Sequence, residues 1–271
     1  IYLILLLVIS ILALSSLTAV ALKVESTTRT VHPTDTRANF TTIQSAIDNS
    51  SAGDLVEVWN GTYNENVIVN KQLTLYSRDG ANVTIIDSQS KGSAITIVAD
   101  GSTVDGFTAT GSGDSKSTVA GIQVESNGNI IKNCISENNT HSGGINLLYS
   151  SNNTISNNIL KNNNDGIRLS YSSNNTISYN DIFNTDIGIN LTASSNNVIF
   201  FNNFVKNSQW SVYSYRSDNI WDSLSKMTYT YNKSKYSNYT GNYWGDSSGA
   251  DENSDGIDDV PRKINEVNTS S

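Results

Sequence analysis

The sequence predicts an all-β protein, a three-sided parallel β-helix built from coils of about 22 residues. Two short strings recur with that spacing: Ser-Ser-Asn-Asn begins at positions 150, 172 and 194, and Gly-Ile begins at 144, 166 and 188. Within each repeat, apolar and polar residues alternate, as in Ile167-Arg168-Leu169, which is the period-2 pattern of a strand with one buried face. Between these runs lie Asn, Ser, Gly and Asp, the residues of tight turns. Each repeat is therefore predicted to form one coil of three short strands and three turns.

Leucine-rich repeats are the alternative, because their period of about 20 to 29 residues includes this one. Their pattern of leucines followed by an asparagine is not met here, since the third residue after Leu169 is Ser172 and the asparagines come later. No part of the repeat has the apolar spacing of a helix. These differences favour the β-helix.

A second series, Ile-x-x-Asn-x-apolar, predicts a column of stacked asparagines inside the solenoid. Buried amides in such a column would hydrogen-bond from coil to coil, as in other in-register ladders. Phe107 takes the asparagine position in an earlier coil, and Cys134 is interpreted as a small residue of the solenoid. The predicted column consists of Asn133, Asn158, Asn180 and Asn202.

Each end of a solenoid needs a cover. At the first end, an apolar stripe of Phe40, Ile43, Ala46 and Ile47 predicts a short amphipathic capping helix. At the other end, the aromatic stretch 229–244 is expected to cover the last coil. The predicted organisation is a hydrophobic helix over 1–22, a linker over 23–38, the capping helix over 39–52, the parallel β-helix over 53–240, and a C-terminal cap with an acidic tail over 241–271.

The segment 1–22 carries no charge and, as a helix, would be about 33 Å long, enough to cross a bilayer. It is interpreted either as a secretory signal peptide cleaved before Leu22 or as a retained anchor. Its start, IYLILLLVISILA, resembles the mature N-terminus of type IV pilin-like subunits, although Leu5 stands where bacterial pilins commonly carry glutamate. That resemblance implies a helix in a filament core. Both interpretations predict an exported, extracellular or cell-surface protein.

Composition excludes several function classes. The 17 basic and 25 acidic residues give a net charge of −8, which argues against binding to nucleic acid. With 37% apolar residues, the chain is not expected to be disordered. The single cysteine, Cys134, excludes an internal disulfide, and the soft metal ligands His32, His141 and Met227 are scattered, which argues against a copper site.

The acidic tail predicts a structural calcium site. The spacing places oxygen ligands at positions 1, 3, 5 and 9 of an EF-hand-like loop, with a backbone carbonyl at position 7. Arg262 stands at position 12 instead of a bidentate glutamate, so a complete EF-hand is not expected. The predicted ligands are Asp251, Asn253, Asp255, Ile257 and Asp259.

Eleven Asn-x-Ser/Thr acceptor sequences predict a glycosylated outer surface, although an Asn- and Ser-rich chain also produces such sequences by chance. The acceptors are Asn39, Asn49, Asn60, Asn82, Asn138, Asn152, Asn174, Asn190, Asn232, Asn238 and Asn268.

Three stretches of the chain resemble a known family: FTTIQSAIDNSSAGDLVEVWNGTYNENVIVNKQLTLYS, the SNNTI coils, and GNYWGDSSGADENSDGIDDVP. Together they resemble the right-handed parallel β-helix proteins of the NosD-like, pectin-lyase-like group, above all archaeal surface members, over residues 39–262. The resemblance implies a right-handed solenoid. It also implies one of three functions: copper-site maturation, modification of polysaccharides, or a non-catalytic role at the cell surface.

The weak candidates for catalysis are Asp165, Asp186 and Arg168. The run 184–186 matches the first motif of polygalacturonase-like glycosidases, and Asp165 lies one coil earlier, where it could supply a second carboxylate. The companion motifs of that family are missing. The two acids are therefore interpreted as capping turn amides, and no enzyme is predicted.

The outward side chains of the Gly-Ile-x-Leu sheet predict a flat, mostly uncharged polar face. Such a face could pack laterally, bind sugars or simply be solvated. It includes Thr96, Gln123, Asn146, Arg168 and Asn190, with Tyr149 and Tyr171 stacked at the rim. The predicted function is a structural or adhesive surface protein, as a filament or envelope subunit, whose partners are copies of itself or cell-envelope glycans and whose residues 1–22 contact a membrane.

Overall fold

A computed structural model describes residues 26–113, 119–140, 143–245, 251, 254, 257 and 264–267. Over these residues the chain forms three parallel sheets of eight strands each, stacked into about eight coils, which confirms the right-handed parallel β-helix. The first sheet contains Thr28–Val31, Leu55–Val58, Thr74–Ser77, Thr103–Asp105, Ile130–Lys132, Thr154–Ser156, Thr176–Ser178 and Val198–Phe200. The second contains Gly61–Tyr63, Thr84–Asp87, Thr108–Thr110, Ile135–Glu137, Ile159–Lys161, Asp181–Phe183, Asn203–Val205 and Tyr243–Trp244. The third contains Val67–Val69, Ile95–Ile97, Ala120–Val124, Gly143–Leu148, Asp165–Ser170, Ile187–Thr192, Trp210–Tyr215 and Asn265–Val267.

The repeat positions lie directly over one another. Ile155 pairs with Ile177, which pairs with Ile199, and all three side chains are fully buried. The Gly-Ile positions obey the same register in the third sheet, where Ile145, Ile167 and Ile189 line the core. One continuous apolar core therefore runs along the solenoid axis.

The recurring glycine has a steric cause. A Cβ atom at Gly166 would lie 2.5 Å from the carbonyl oxygen of Gly188 in the next coil, closer than packed atoms approach. Only glycine therefore permits the backbones of successive coils to approach this closely at that corner.

The asparagine column forms, with one correction. The Nδ2 group of Asn158 donates to Oδ1 of Asn180 at 3.0 Å, and Asn180 donates to Asn202 in the same way at 2.9 Å. In the coil before Asn158, however, the column position belongs to Cys134, whose backbone N–H donates to Oδ1 of Asn158. Asn133 lies outside, exposed at φ 54°, so its predicted place in the column was wrong. Ile131, not Ile130, is the buried residue of that strand, and this shifts the register by one.

Further inter-coil ladders stand at the other turns. Asn129 bonds to Asn153 at 3.0 Å, and in later coils Asn175 bonds to Asn197 at 3.0 Å. The residue just before each buried asparagine adopts the left-handed conformation, and in most coils it is itself an asparagine, as at Asn174 (φ 58°), because asparagine tolerates this conformation better than most residues. This double requirement explains why Asn-Asn pairs recur in the sequence.

The predicted capping helix is present at Ile43–Asp48 and buries its apolar stripe against the first coils. Charged side chains from the following coil hold both of its ends. The carboxylate of Glu65 accepts the N–H groups of Ile43 and Gln44 at 2.9 and 3.0 Å, and the Nζ group of Lys71 donates to three carbonyl groups at 2.7 to 3.1 Å. These carbonyl groups belong to Ile47, Asp48 and Ser50.

Three expected boundaries differ. The linker assigned to 23–38 contributes the strand Thr28–Val31 to the first sheet. Inside the range assigned to the β-helix, Met227–Tyr231 and Ser234–Asn238 form an antiparallel hairpin. The tail assigned as a cap adds strands to the second and third sheets.

The aromatic stretch near the C-terminus covers the last coil only in part. Trp244 stacks on Phe204 with ring centroids 4.8 Å apart, and Trp221 packs on the same core. The hairpin residues, by contrast, are exposed or half-buried along both strands. The aromatic residues of the hairpin are therefore not the cover that the sequence predicted.

The predicted hydrophobic helix over 1–22 lies outside the described residues. Within the part of the chain that the structure does describe, no helix has the length and apolar character needed to cross a bilayer.

Candidate functional site

Several sequence-predicted candidates meet on the outer face of the third sheet. Strand pairing places Gln123, Asn146, Arg168 and Asn190 side by side on four successive coils. Their neighbours along each strand, such as Ile167 and Leu169, point into the core, so these polar side chains point away from it. Asp165 reaches the same row, because its Oδ2 atom accepts a 3.1 Å hydrogen bond from Nδ2 of Asn190. We call these five residues the outer polar cluster.

The cluster is not a solvated face, which was one of the three possibilities that the sequence left open. Gln123 is 1% exposed, and Asn146 and Asp165 are each 3% exposed. Only Arg168 and Asn190 are partly open to solvent. In the strands Ala120–Val124 and Gly143–Leu148 nearly every residue is buried on both faces, unlike the alternating pattern of the first and second sheets. Sequence reasoning missed this burial because strand alternation shows which way a side chain points and not what lies over it.

Three polar atoms of the cluster have no hydrogen-bond partner. Nδ2 of Asn146 donates to Oε1 of Gln123 at 2.9 Å, which satisfies one half of each amide. The other halves, Nε2 of Gln123 and Oδ1 of Asn146, are buried and unpaired, as is Oδ1 of Asp165. Buried polar groups almost always find partners. Three orphan atoms in one small region are therefore a feature that needs an explanation.

The charge of Asp165 is poorly compensated. Burial raises the pKa of Asp165 above its ordinary value, against the opposing effects of Arg168 and the Asn190 hydrogen bond, and the negative charge of Asp186 raises it further. The nearest approach to Arg168 is 4.0 Å, from Nε to Oδ2, which is the outer limit of an ion pair. The sequence was interpreted to mean that Asp165 caps turn amides, but its side chain accepts from Asn190 instead. Asp186 accepts instead from the hydroxyl group of Ser208 at 2.7 Å.

Tyr149 and Tyr171 follow the strands that carry Asn146 and Arg168. Their rings stack with centroids 5.1 Å apart and an interplanar angle of 12°, as the sequence predicted. The two side chains are 69% and 57% exposed. Both residues adopt the left-handed backbone conformation, at φ 50° and 52°, which is unfavourable for a bulky side chain.

Most predicted glycosylation acceptors are accessible. Eight of those in the described residues are exposed, whereas Asn190 and Asn238 are half-buried. Asn190 also uses its amide in the contact with Asp165. Asn268 lies outside the described residues. The exposed acceptors are Asn39, Asn49, Asn60, Asn82, Asn138, Asn152, Asn174 and Asn232.

The described part of the chain holds no group of three or more His, Cys, Asp or Glu side chains that could bind a metal ion. Of the predicted calcium ligands, Asp251 and Ile257 are described, whereas Asn253, Asp255 and Asp259 lie outside the described residues. The calcium site therefore stays a prediction.

The soft ligands that the structure describes, Cys134, His32 and Met227, lie apart from one another, and His141 lies outside the described residues. Burial raises the pKa of the Cys134 thiol to about 11, and its Sγ atom lies 3.2 Å from the carbonyl oxygen of Lys132. Nδ1 of His32, near the first coil, accepts the N–H groups of Thr34 and Asp35. Met227 belongs to the hairpin near the last coil. These three residues do not fit a copper site, because two lie in different coils and the third lies in the hairpin.

Comparison with known proteins gives one family match. The family model described as "Periplasmic copper-binding protein (NosD)" matches residues 27–249. A cell surface glycoprotein of Methanothermus fervidus is 41% identical over 75 residues, which are 27% of this chain and 12% of that protein. The chain thus spans about an eighth of that relative. Both matches point to an exported or envelope-located protein.

Solved structures show weaker similarity. The pectin methylesterase from Aspergillus niger is 17% identical with a TM-score of 0.47, over 71% of this chain and 76% of that one. The pectin methylesterase PemA from Erwinia chrysanthemi is 13% identical with a TM-score of 0.37, over 84% of this chain and 92% of that one. Scores at this level do not bear on the activity of the chain.

Proposed function

The chain belongs to the NosD family, and from that membership we propose that it is a non-catalytic surface protein with a structural or adhesive role outside the cell. The observation that carries the proposal is the uninterrupted stack of coils, tied together by side-chain hydrogen bonds as well as by sheet pairing. The similarity to an archaeal cell surface glycoprotein supports the same location.

The solenoid is built as a stiff rod. Successive coils share three parallel strand pairings, and buried amides such as Asn158, Asn180 and Asn202 connect them a second time. A side-chain ladder that is fully buried and fully bonded favours one register over any slipped alternative. A rod with a fixed register suits an element that must keep its shape on a surface.

Its proposed partners are copies of itself, in a filament or a surface lattice, or cell-envelope glycans. The filament version draws on the pilin-like start of the sequence, and residues 1–22 would then hold the subunit in the membrane or at the filament axis. The exposed acceptors, including Asn152 and Asn174 on neighbouring coils, support a glycosylated exterior.

We also propose that calcium folds and fixes the acidic tail. Six acidic residues and no basic residue stand between 246 and 259, and their mutual repulsion would be relieved by a divalent cation. The ligands would be those predicted from the spacing.

A polysaccharide-modifying enzyme is the second candidate, because the buried carboxyl group of Asp165 and the guanidinium of Arg168 lie close together. This candidate predicts turnover of uronate polymers that disappears in Asp186→Asn. A copper-maturation role predicts stoichiometric Cu(I) binding that is lost in Met227→Ala. If the wild-type protein neither turns over uronate polymers nor binds Cu(I), the surface role is the candidate that remains.

Electron microscopy of native cell-surface material, with antibodies against the solenoid, tests the proposal. We expect labelling outside the membrane, and for the filament version a regular fibre with the N-terminal helix at its axis. Detergent-free monomers that begin at Leu22 would rule out the filament, and labelling confined to the cytoplasm would overturn the surface role.

A further inference from the structure

The unpaired atoms of the outer polar cluster indicate which chemical groups could bind there. Nε2 of Gln123 is a donor, whereas Oδ1 of Asn146 and Oδ1 of Asp165 are acceptors, and all three are buried and unpaired. Exchanging the two atoms of both amides would leave the same pair, one donor and one acceptor, so this conclusion does not depend on amide orientation. The partner must therefore both donate and accept hydrogen bonds.

Hydroxyl groups, whether of water or of a sugar, meet that requirement, since each one donates a hydrogen bond and accepts others. The exposed tyrosine pair nearby favours a sugar. A cation would satisfy the two oxygens but not the Gln123 donor, and it would be repelled by Arg168 nearby. An anion would satisfy the donors and be repelled by Asp165. A neutral ligand rich in hydroxyl groups fits every member of the cluster.

The tyrosine pair extends the site towards solvent. Tyr149 and Tyr171 follow Asn146 and Arg168 by three residues on their strands, a separation of about 10 Å, which a short oligosaccharide spans. Their exposed, stacked rings offer flat apolar surface. Their left-handed backbone recurs at Ala193 and Arg216 in the following coils, so it is a property of this turn. Flat aromatic surfaces of this kind can cover the apolar face of a sugar ring.

We propose that the outer polar cluster and the Tyr149–Tyr171 pair together bind a neutral, hexose-based glycan. Its hydroxyl groups pair with Gln123, Asn146 and Asp165, and a sugar ring packs against the tyrosines. The orphan atoms are closed to solvent, so a glycan can reach them only if a partly exposed side chain of the cluster moves. Arg168 can move in this way, because Asp165 holds it only weakly. This inference rests on the proposed surface function and names the site at which a glycan partner would be held.

Isothermal titration of the full chain with maltohexaose, cellohexaose and mannohexaose tests the site. We expect at least one of these to bind, and Asn146→Leu to weaken its binding about five- to tenfold, the effect of losing one or two hydrogen bonds. The double variant Tyr149→Ala/Tyr171→Ala should weaken it comparably, and its exposed positions leave the core intact. Asn203→Leu is the control: like Asn146, Asn203 donates to a polar side chain of the preceding coil, here Asp181, but on the second sheet, and this variant should bind normally.

Absence of binding for all three hexaoses overturns the inference. Equal binding by the wild type, Asn146→Leu and the tyrosine variant overturns it too, because the sugar would then sit elsewhere. If Asn146→Leu fails to fold, the tyrosine variant alone decides. None of these results touches the surface location, which the microscopy tests separately, so failure of the site and failure of the proposed function are distinguishable.

Discussion

Replacing Asn180 by alanine tests whether the buried amides hold the coils together. The Oδ1 atom of Asn180 accepts both the backbone N–H and the Nδ2 group of Asn158, each at 3.0 Å. Its own amide donates to Asn202 at 2.9 Å and to the carbonyl oxygen of Ile155 at 3.0 Å. The side chain is fully buried, so water cannot replace these contacts without entering the core.

The expected cost follows from what is left unpaired. In Asn180→Ala the backbone N–H of Asn158 loses its acceptor, at about 1–3 kcal/mol for a buried donor, and the other lost contacts add about 1 kcal/mol each. Because three such contacts are lost besides the backbone donor, we expect the free energy of unfolding to fall by about 4–6 kcal/mol. That is a large share of the ~5–15 kcal/mol typical of a domain.

Urea unfolding followed by circular dichroism measures this change, and an unchanged slope against urea would show that unfolding remains cooperative. Asn203→Ala, at an exposed position one coil further on, should change stability by less than about 0.5 kcal/mol. Cys134→Asn should keep or raise stability, because Sγ of Cys134 lies 4.0 Å from the carbonyl oxygen of Val104, where the longer amide could bond. A loss below about 1 kcal/mol in Asn180→Ala would refute the structural role of the column.

Four further outcomes are expected. Lys71→Met should lower the free energy of unfolding by about 1–2 kcal/mol in the same urea assay, because three carbonyl groups at the C-terminal end of the capping helix and just beyond it lose their donor, and exposed Lys91→Met should not. The pKa of Asp165 is raised in the fold, so its ionisation lowers stability as pH rises through that pKa. Asp165→Asn should therefore melt at a higher temperature than the wild type at pH 7, and this difference in melting temperature should close below about pH 4. A difference that does not change with pH would contradict this. Chelation of calcium should lower the melting temperature, and an unchanged melt would refute the tail site. Peptide mass spectrometry of native protein should find glycan on Asn152, which is exposed, and none on Asn190, whose amide is engaged.

The regular coils were predictable because three independent motifs repeat with the same register. The Ser-Ser-Asn-Asn strings, the Gly-Ile pairs and the buried asparagines keep one spacing, and the structure aligns all of them. The predicted register was wrong in the coil that contains Ile130, where the motifs do not agree with one another. At Ile130-Ile131 both residues are apolar, so the pattern alone could not tell which one faces the core, and the neighbouring asparagine was assigned to the column in place of Cys134.

The candidate site was predicted in its membership and missed in its character. Alternation placed Asn146, Arg168 and Asn190 in one outward row, and the structure confirms that row. The burial of Gln123 and Asn146 could not be read in the same way, since it depends on what lies over the strand. The orphan atoms arise from that burial, because the same amides in solvent would be bonded to water.

Sequence periodicity was enough to predict the coil, the stacking register of the regular repeats and the direction of most of their side chains, because a strand period of two and a fixed repeat leave one arrangement that buries the isoleucines. Three-dimensional contacts were needed to show which outward residues are covered, how Glu65 and Lys71 hold the helix, and that the hairpin Met227–Asn238 leaves the solenoid. Those features depend on contacts between segments of different spacing. A periodic pattern cannot encode them, since the interactions join positions that no repeat relates.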